Sequence, residues 1–353
     1  MARIFQCGFE IGASIAWYGN QGSIPGAGQL THDTSNPRTG NFCMLTSSGV
    51  SNVAEHIFGA KSTIYGRVCF HYTTIDDDGT GWAHFMGLWS GTAPLFTVGI
   101  NPQGYPIVRV NPTITSGTYD KIGNGGTVYT ASQRAPVNVW NVLEFGVFFG
   151  TSSDGWFVLR LNGITLISQT GLTFNAGSAD RVRFGLEMTS FVTTMRIDDY
   201  ALNDTFGSEN TSWPGFGGIV ALLPNADVDV NWQISGGTVH WDAVNENDGD
   251  TSYVYPNSAN LYEVFDVENM PPDSTDVRAV EVVFLARRVA AGAGSMVDLI
   301  RSGTVEDIGV THNILQSDVY KTYFGKIWDV NPDGSVSWTV QAVDALQVGL
   351  KSL

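Results

Sequence analysis

"VWNVLEFGVFFGTSSDGWFVLRLNGITLISQT", residues 139–170, decides how this chain should be read. Apolar residues alternate with polar or small ones through much of it, the period of a strand that lays one face on a core. The pattern breaks at GTSSDG (150–155) and at Asn162-Gly163. Asn-Gly is a favoured pair for a two-residue hairpin, whose type I′ turn needs positive φ at both central residues. The stretch therefore predicts three consecutive antiparallel strands with no helix between them.

The same signals continue on both sides. STIYGRVCFHYTTI (62–75) reads as one strand and is followed by the turn DDDGTG, while PLFTVGINPQGYPIVRVN (94–111) reads as a hairpin turning at NPQG. DRVRFGLEMTSFVTTMRIDDYALND (180–204) supplies two more strands. With 41 glycines, 12% aromatic and only 15% charged residues, the composition suits many strands and turns and is poor material for long helices. The expected class is all-β with two sandwich domains, the first a jelly roll and the second smaller. TFGSENTSWPGFGG (205–218) reads as a linker, which places domains at 1–204 and 219–353. Beyond it, VRAVEVVFLARRV (277–289) and GAGSMVDLIRSG (292–303) read as a hairpin around AAGAG. Val340, Val343 and Leu346 are three apart, which predicts a short helix before a last strand.

Charge is uneven along the chain. Residues 1–205 carry 14 acids against 11 Lys and Arg, and residues 206–353 carry 20 against 7. Phosphate backbones are held by Lys and Arg, so no nucleic-acid partner is expected. No apolar run reaches the roughly 18 residues of a membrane span, and the N-terminus lacks the pattern of a secretory signal. The three cysteines, Cys7, Cys43 and Cys69, have no metal-binding spacing and read as small core residues.

Few residues suggest chemistry. Neither an HExxH zinc motif nor a GxSxG nucleophile elbow occurs, and GNGG (123–126) lacks the lysine of a phosphate loop. Asp76 and Asp78 in one acidic turn, and Asp248 and Asp250 in another, are weak calcium candidates because oxygen ligands cluster there without completing a loop. Trp82, Trp89 and Tyr105 lie beside turns and are the aromatic candidates for stacking on a sugar. EVFDVE offers Glu263, Asp266 and Glu268, but Glu263 alternates onto the opposite face from the other two. In TTMRIDDYALND (193–204), strict alternation puts Met195, Ile197 and Asp199 on one face. If that face is the core, Asp199 is a structural residue that must be hydrogen-bonded or paired, unless a bulge resets the register.

VWNVLEFGVFF, GWFVLRLNGITL and the closing RIDDYALND together resemble the concanavalin A-like and laminin-G-like jelly rolls, over about residues 1–204. Residues 203–254 and the closing SWTVQAVDALQVGLKSL are similar to a module of tailed-bacteriophage structural proteins. That resemblance implies a non-enzymatic virion surface protein, a capsid decoration or tail component assembled in the host cytoplasm. Its partners would be other virion proteins and further copies of itself, and it would need no cofactor. A tail or fibre adhesin that binds host glycans through the jelly-roll loops is the alternative, and a cellular glycan-active enzyme the third reading.

Overall fold

A computed structural model describes residues 2–10, 23–24, 31–46, 51–75, 81–113, 122, 125–189, 194–288, 294–314 and 320–353. The chain divides into two compact units, 2–220 and 221–353. The all-β class is what the structure has, with one short helix. Among the described residues no helix is long and apolar enough to cross a membrane.

The first unit runs β1 (Arg3–Cys7), β2 (Ser23–Ile24), β3 (Thr31–Asp33), β4 (Cys43–Thr46), β5 (Ser51–Lys61), β6 (Thr63–Tyr72), β7 (Trp82–Ser90) and β8 (Ala93–Ile100). It continues through β9 (Pro106–Val110), β10 (Thr127–Thr130), β11 (Asn141–Phe148), β12 (Gly155–Leu161), β13 (Ile164–Leu172), β14 (Ala179–Thr189) and β15 (Met195–Asn203). One sheet has the order β13-β12-β11-β6-β15-β4-β3, with β1 also on β15; the other is β10-β9-β8-β7-β14-β5-β2. The opening stretch forms β11, β12 and β13, and the turn residues Asn162 and Gly163 take φ of 50° and 81°. Aromatic rings join the sheets. Phe70 stacks on Phe85 with centroids 4.9 Å apart, Phe96 meets Phe145 at 5.2 Å, and Phe184 meets Tyr200 at 5.6 Å. Burying each such ring stabilises the fold by about 2–3 kcal/mol.

The strict alternation expected in β15 fails at a bulge. Register shifts between Asp198 and Ala201, and Asp199 takes φ of 53°, the left-handed region. The extra residue returns Tyr200 to the core, where its hydroxyl donates to Gly185 O at 2.7 Å. Asp199 is fully buried and paired: Oδ2 meets Arg38 Nη1 at 2.6 Å, and Oδ1 accepts from Thr39 Oγ1 and Ile219 N, each at 2.7 Å.

The expected linker is a strap. Residues 205–220 belong to the first unit and cross the outer face of the β11 sheet. Trp213 lies under the Arg160 guanidinium at 3.6 Å and beside Tyr65 at 5.3 Å. Gly215 N donates to Glu144 Oε1 at 2.8 Å, Gly215 O accepts from Arg67 Nη1 at 3.1 Å, and Ser212 O accepts from Asn203 Nδ2 at 2.6 Å. Gly, Pro and Ser composition marks backbone without a ladder of its own, and here the sheet's Arg and Glu side chains satisfy that backbone instead.

The second unit comprises β16 (Pro224–Val230), β17 (Gln233–Ser235), β18 (Tyr253–Tyr255), β19 (Tyr262–Val267), β20 (Val280–Ala286), β21 (Ser295–Ser302), β22 (Val305–Asn313), β23 (Lys321–Trp328), α1 (Val340–Asp344) and β24 (Gln347–Ser352). A five-stranded sheet, β16-β19-β24-β21-β22, is accompanied by the pairs β17-β18 and β20-β23. The expected helix is present, its first turn capped by Thr339 Oγ1 accepting from Ala342 N at 3.1 Å. Its Val343 packs with Ile300, Trp328, Trp338 and Leu346. The expected hairpin of β20 with β21 is corrected: β20 pairs with β23, and β21 pairs with β22 and β24. Residues 289–293 of its proposed turn lie outside the described residues. Strand periodicity states that a segment is a strand and says nothing of its partner.

A prediction follows from the strap. A fragment ending at residue 204 loses at least four hydrogen bonds of about 0.5–1.5 kcal/mol each. It should melt on the order of 10 °C below a fragment ending at residue 220. Equal melting temperatures would return 205–218 to the role of a linker.

Candidate functional site

Strand register in the β7 sheet separates its two faces. Ala54, Phe184, Met86, Val98 and Val108 align across five strands, and Phe184 touches the opposite sheet, so this row faces the core. The neighbouring row, Glu55, Arg183, Gly87, Thr97 and Arg109, therefore faces outward. Trp89 pairs with Arg181, and His84 with Glu187, alongside that row. Trp82 stacks on His84 with centroids 4.2 Å apart, which brings it to the same face.

An outer sheet face normally meets water, yet His84, Thr97 and Glu187 are fully buried and Trp89 is 1% exposed. Ile122 is the reason at the centre of the row. It seats against Gly87, where a Cβ would come within 2.8 Å of it, and its backbone N–H donates to Glu187 Oε2. Its carbonyl accepts from Thr97 Oγ1 at 3.4 Å.

Within this cover the polar groups are arranged tightly. Arg109 Nε donates to His84 Nε2 at 2.9 Å, so His84 carries its proton on Nδ1. That Nδ1, like the Trp89 Nε1, is buried with no hydrogen-bond partner among the described residues. Burial, and then the Arg109 charge, push the His84 imidazole well below its ordinary pKa and keep it neutral. Arg183 lies 3.7 Å over the Trp89 ring and donates to Glu55 Oε2 at 2.9 Å. The face thus combines two aromatic plates, three guanidiniums, two carboxylates and a neutral imidazole. Those are groups that grip hydroxyls, carboxylates and sugar rings.

The sequence candidates fall out as follows. Trp82 and Trp89 join this face, but as covered rings with one side each taken by His84 and Arg183. Tyr105 lies elsewhere, half-buried, with Arg134 5.1 Å from its ring. None of the three is an open loop platform for a sugar. Asp76 and Asp78 lie outside the described residues. Asp248 holds Ser252 Oγ at 2.8 Å, while Asp250 holds Tyr320 Oη at 2.9 Å and pairs with Arg287. Asp248 also lines a cavity of about 170 Å³ with Asp242, Glu246 and Thr251. Among the described residues no three His, Cys, Asp or Glu side chains converge as a metal site.

Glu263, Asp266 and Glu268 are spent separately. Glu263 accepts from Trp232 N at 2.9 Å and faces His240 Nδ1 at 2.6 Å; Asp266 accepts from Gln347 Nε2, and Glu268 from Leu223 N. The second unit's other buried acid, Asp298, accepts from His312 Nε2 at 2.8 Å and from the backbone of Val310 and Lys326 at 2.9 Å. The cysteines are free and buried, as small core residues would be.

His84, Arg109, Arg181, Arg183, Glu55 and Glu187 were missed by the sequence reading. Their signal was present as period-two spacing: Arg181 and Arg183 are two apart, as are Trp82 and His84. It showed one polar face per strand, but only strand order shows that those faces adjoin.

No family model and no curated protein matches the sequence. Among solved structures the chain is similar to an endo-β-1,4-glucuronan lyase from the fungus Trichoderma reesei at 12% identity, with 58% of this chain and 96% of that one covered and a TM-score of 0.41. It is similar to an alginate lyase at 10% identity, covering 58% and 98%, with a TM-score of 0.39. Cellulose-induced protein Cip1 matches at 16% identity, covering 60% and 100%, also with a TM-score of 0.39. The expectation of a non-enzymatic virion surface protein is corrected here, and with it the exclusion of enzymatic activity. These three structures are two polysaccharide lyases and a cellulose-induced protein, and none of the three is named as a virion component.

The buried imidazole gives this site a direct check. His84 should stay neutral as pH falls through the ordinary imidazole range, so its Cε1–H resonance should not move there. A titration midpoint near the ordinary value of about 6.5 would mean that the face is open to water.

Proposed function

We propose that the first unit recognises an acidic glycan across the outer face of its β9-β8-β7-β14-β5 sheet. The observation that carries this reading is the row Glu55, Arg183, Gly87, Thr97, Arg109 flanked by His84, Glu187, Trp82 and Trp89. Guanidinium forks match carboxylates in geometry and charge. His84 Nδ1–H and Trp89 Nε1–H, which have no acceptor among the described residues, are donors that glycan hydroxyls and carboxylates can satisfy. Ile122 now occupies the middle of the row, so a bound sugar exchanges its own contacts for those of Ile122.

A second reading, cleavage of the bound glycan, is favoured by the neutral His84 imidazole beside Arg109. Cleavage requires Arg109 to leave His84 Nε2, the one basic lone pair of the ring; once released, the imidazole can take a proton and the freed guanidinium can hold the developing charge.

Calorimetry of the full chain with alginate, polygalacturonate and neutral arabinan oligosaccharides tests recognition. Acidic chains should bind in preference to neutral ones, and Arg109→Ala should weaken binding tenfold or more, the size of a lost charge-assisted hydrogen bond. Preference for arabinan, or no change in Arg109→Ala, would refute the reading. New reducing ends from the same incubations, absent in His84→Asn, would support cleavage.

A further inference from the structure

Around the β15 bulge, four residues of the segment 38–42 direct donors at three buried or half-buried carboxylates. Arg38 N donates to Asp198 Oδ2 at 3.0 Å, and Arg38 Nη1 and Thr39 Oγ1 reach Asp199. Asn41 N and Phe42 N donate to Glu10 at 2.7 and 3.3 Å. The same Arg38 holds the strap: Nη1 donates to Gly217 O at 3.0 Å and Nη2 to Phe216 O at 2.5 Å, while Ile219 N donates to Asp199.

The charges in this cluster do not balance. Glu10, Asp198 and Asp199 face two guanidiniums, Arg38 and Arg67, and Arg67 spends its donors on the carbonyls of Asp199 and Gly215. Among the described residues the other titratable neighbours supply no uncompensated positive charge. Asp33 and Arg196 pair with each other, and burial pushes the Cys43 and Cys69 thiols up to about 12 and so leaves them neutral. Three ionised carboxylates in a largely desolvated site cannot be sustained by one contacting cation without cost, and a retained proton removes that cost.

We propose that this cluster is a proton-dependent latch: it holds residues 205–219 on the sheet while it retains a proton, and loosens them when all three carboxylates are ionised. Burial first, then the neighbouring acids, raises Asp198 to about 9. Burial, outweighing two backbone hydrogen bonds, raises Glu10 to about 7. A carboxylate pKa that is higher in the folded state stabilises that state fully below the ordinary value near 4, and the contribution is lost as pH rises through the raised value. The latch is therefore tight in acid, and it loosens in two steps around those two values.

Hydrogen exchange of the full chain, corrected for the intrinsic pH dependence of exchange, tests it. Protection of peptides within 206–219 should fall about tenfold between pH 5.5 and 9 relative to peptides within 141–148. Glu10→Gln should remove the part of the fall centred near pH 7, and Asp198→Asn the part at higher pH. Should Asp198→Asn fail to fold, Glu10→Gln carries the test alone, because Glu10 lies at the margin of the cluster. Protection of 206–219 that tracks 141–148 at every pH, or an unchanged profile in Glu10→Gln, would overturn the proposal.

Discussion

Asp199 places a carboxylate where a sandwich strand would ordinarily place an apolar side chain or a solvated one, and the first unit is organised around satisfying it. Its two oxygens take a guanidinium, a hydroxyl and a backbone N–H from two segments far apart in sequence. Because the residue is a bulge with positive φ, it also shifts the register by one, which sends Tyr200 inward to the rings of Phe184 and Phe9. Without the bulge, strict alternation would turn Tyr200 away from the core. One local irregularity thus fixes the core side of β15 and the anchor for the strap on its other side.

Both outer faces of the sandwich are covered by the chain itself, wholly or in part. The β11 sheet carries the strap with Trp213, and the β7 sheet carries Ile122 over Gly87. Covering a polar sheet face lowers the dielectric around its side chains, which strengthens every ion pair and raises the cost of every unpaired group. That is why His84 stays neutral beside Arg109, and why Arg183 lies on Trp89 with Glu55 as counter-charge. The same environment that makes these groups a candidate recognition surface also makes them sensitive to what lies over them.

Much of the fold was legible. Asn162-Gly163 announced its turn because few other pairs accept two positive φ angles, and Val340, Val343 and Leu346 announced a helix by their spacing. The all-β class followed from alternation, whereas at Asp199 alternation misled: the bulge takes that residue out of the core row, and only the cost of an orphan carboxylate pointed to its pairing. Partnership was not legible: β20 carries the same alternation whether it pairs with β21 or β23. The strap was illegible for a related reason, since its composition describes its backbone and not the Arg67, Glu144 and Arg160 side chains that receive it. The candidate site was hidden because its residues come from β5, β7, β8, β9 and β14, with one polar position apiece in several of them. The functional expectation failed for another reason again: it was carried by a resemblance to structural proteins and not by any constellation of side chains.

The central claim is that the Arg38–Asp199 pair ties loop, bulge and strap into one unit, and a double-mutant cycle by chemical denaturation measures it. Arg38→Ala should cost about 3–5 kcal/mol because it leaves Asp199 buried without its cation, and Asp199→Ala should cost less, because Arg38 keeps Asp198 beside it and the strap carbonyls as acceptors. The double variant should cost at least about 1.5 kcal/mol less than the sum of the two. Additivity within about 0.5 kcal/mol would contradict the account, since it would mean that the two side chains stabilise the fold independently.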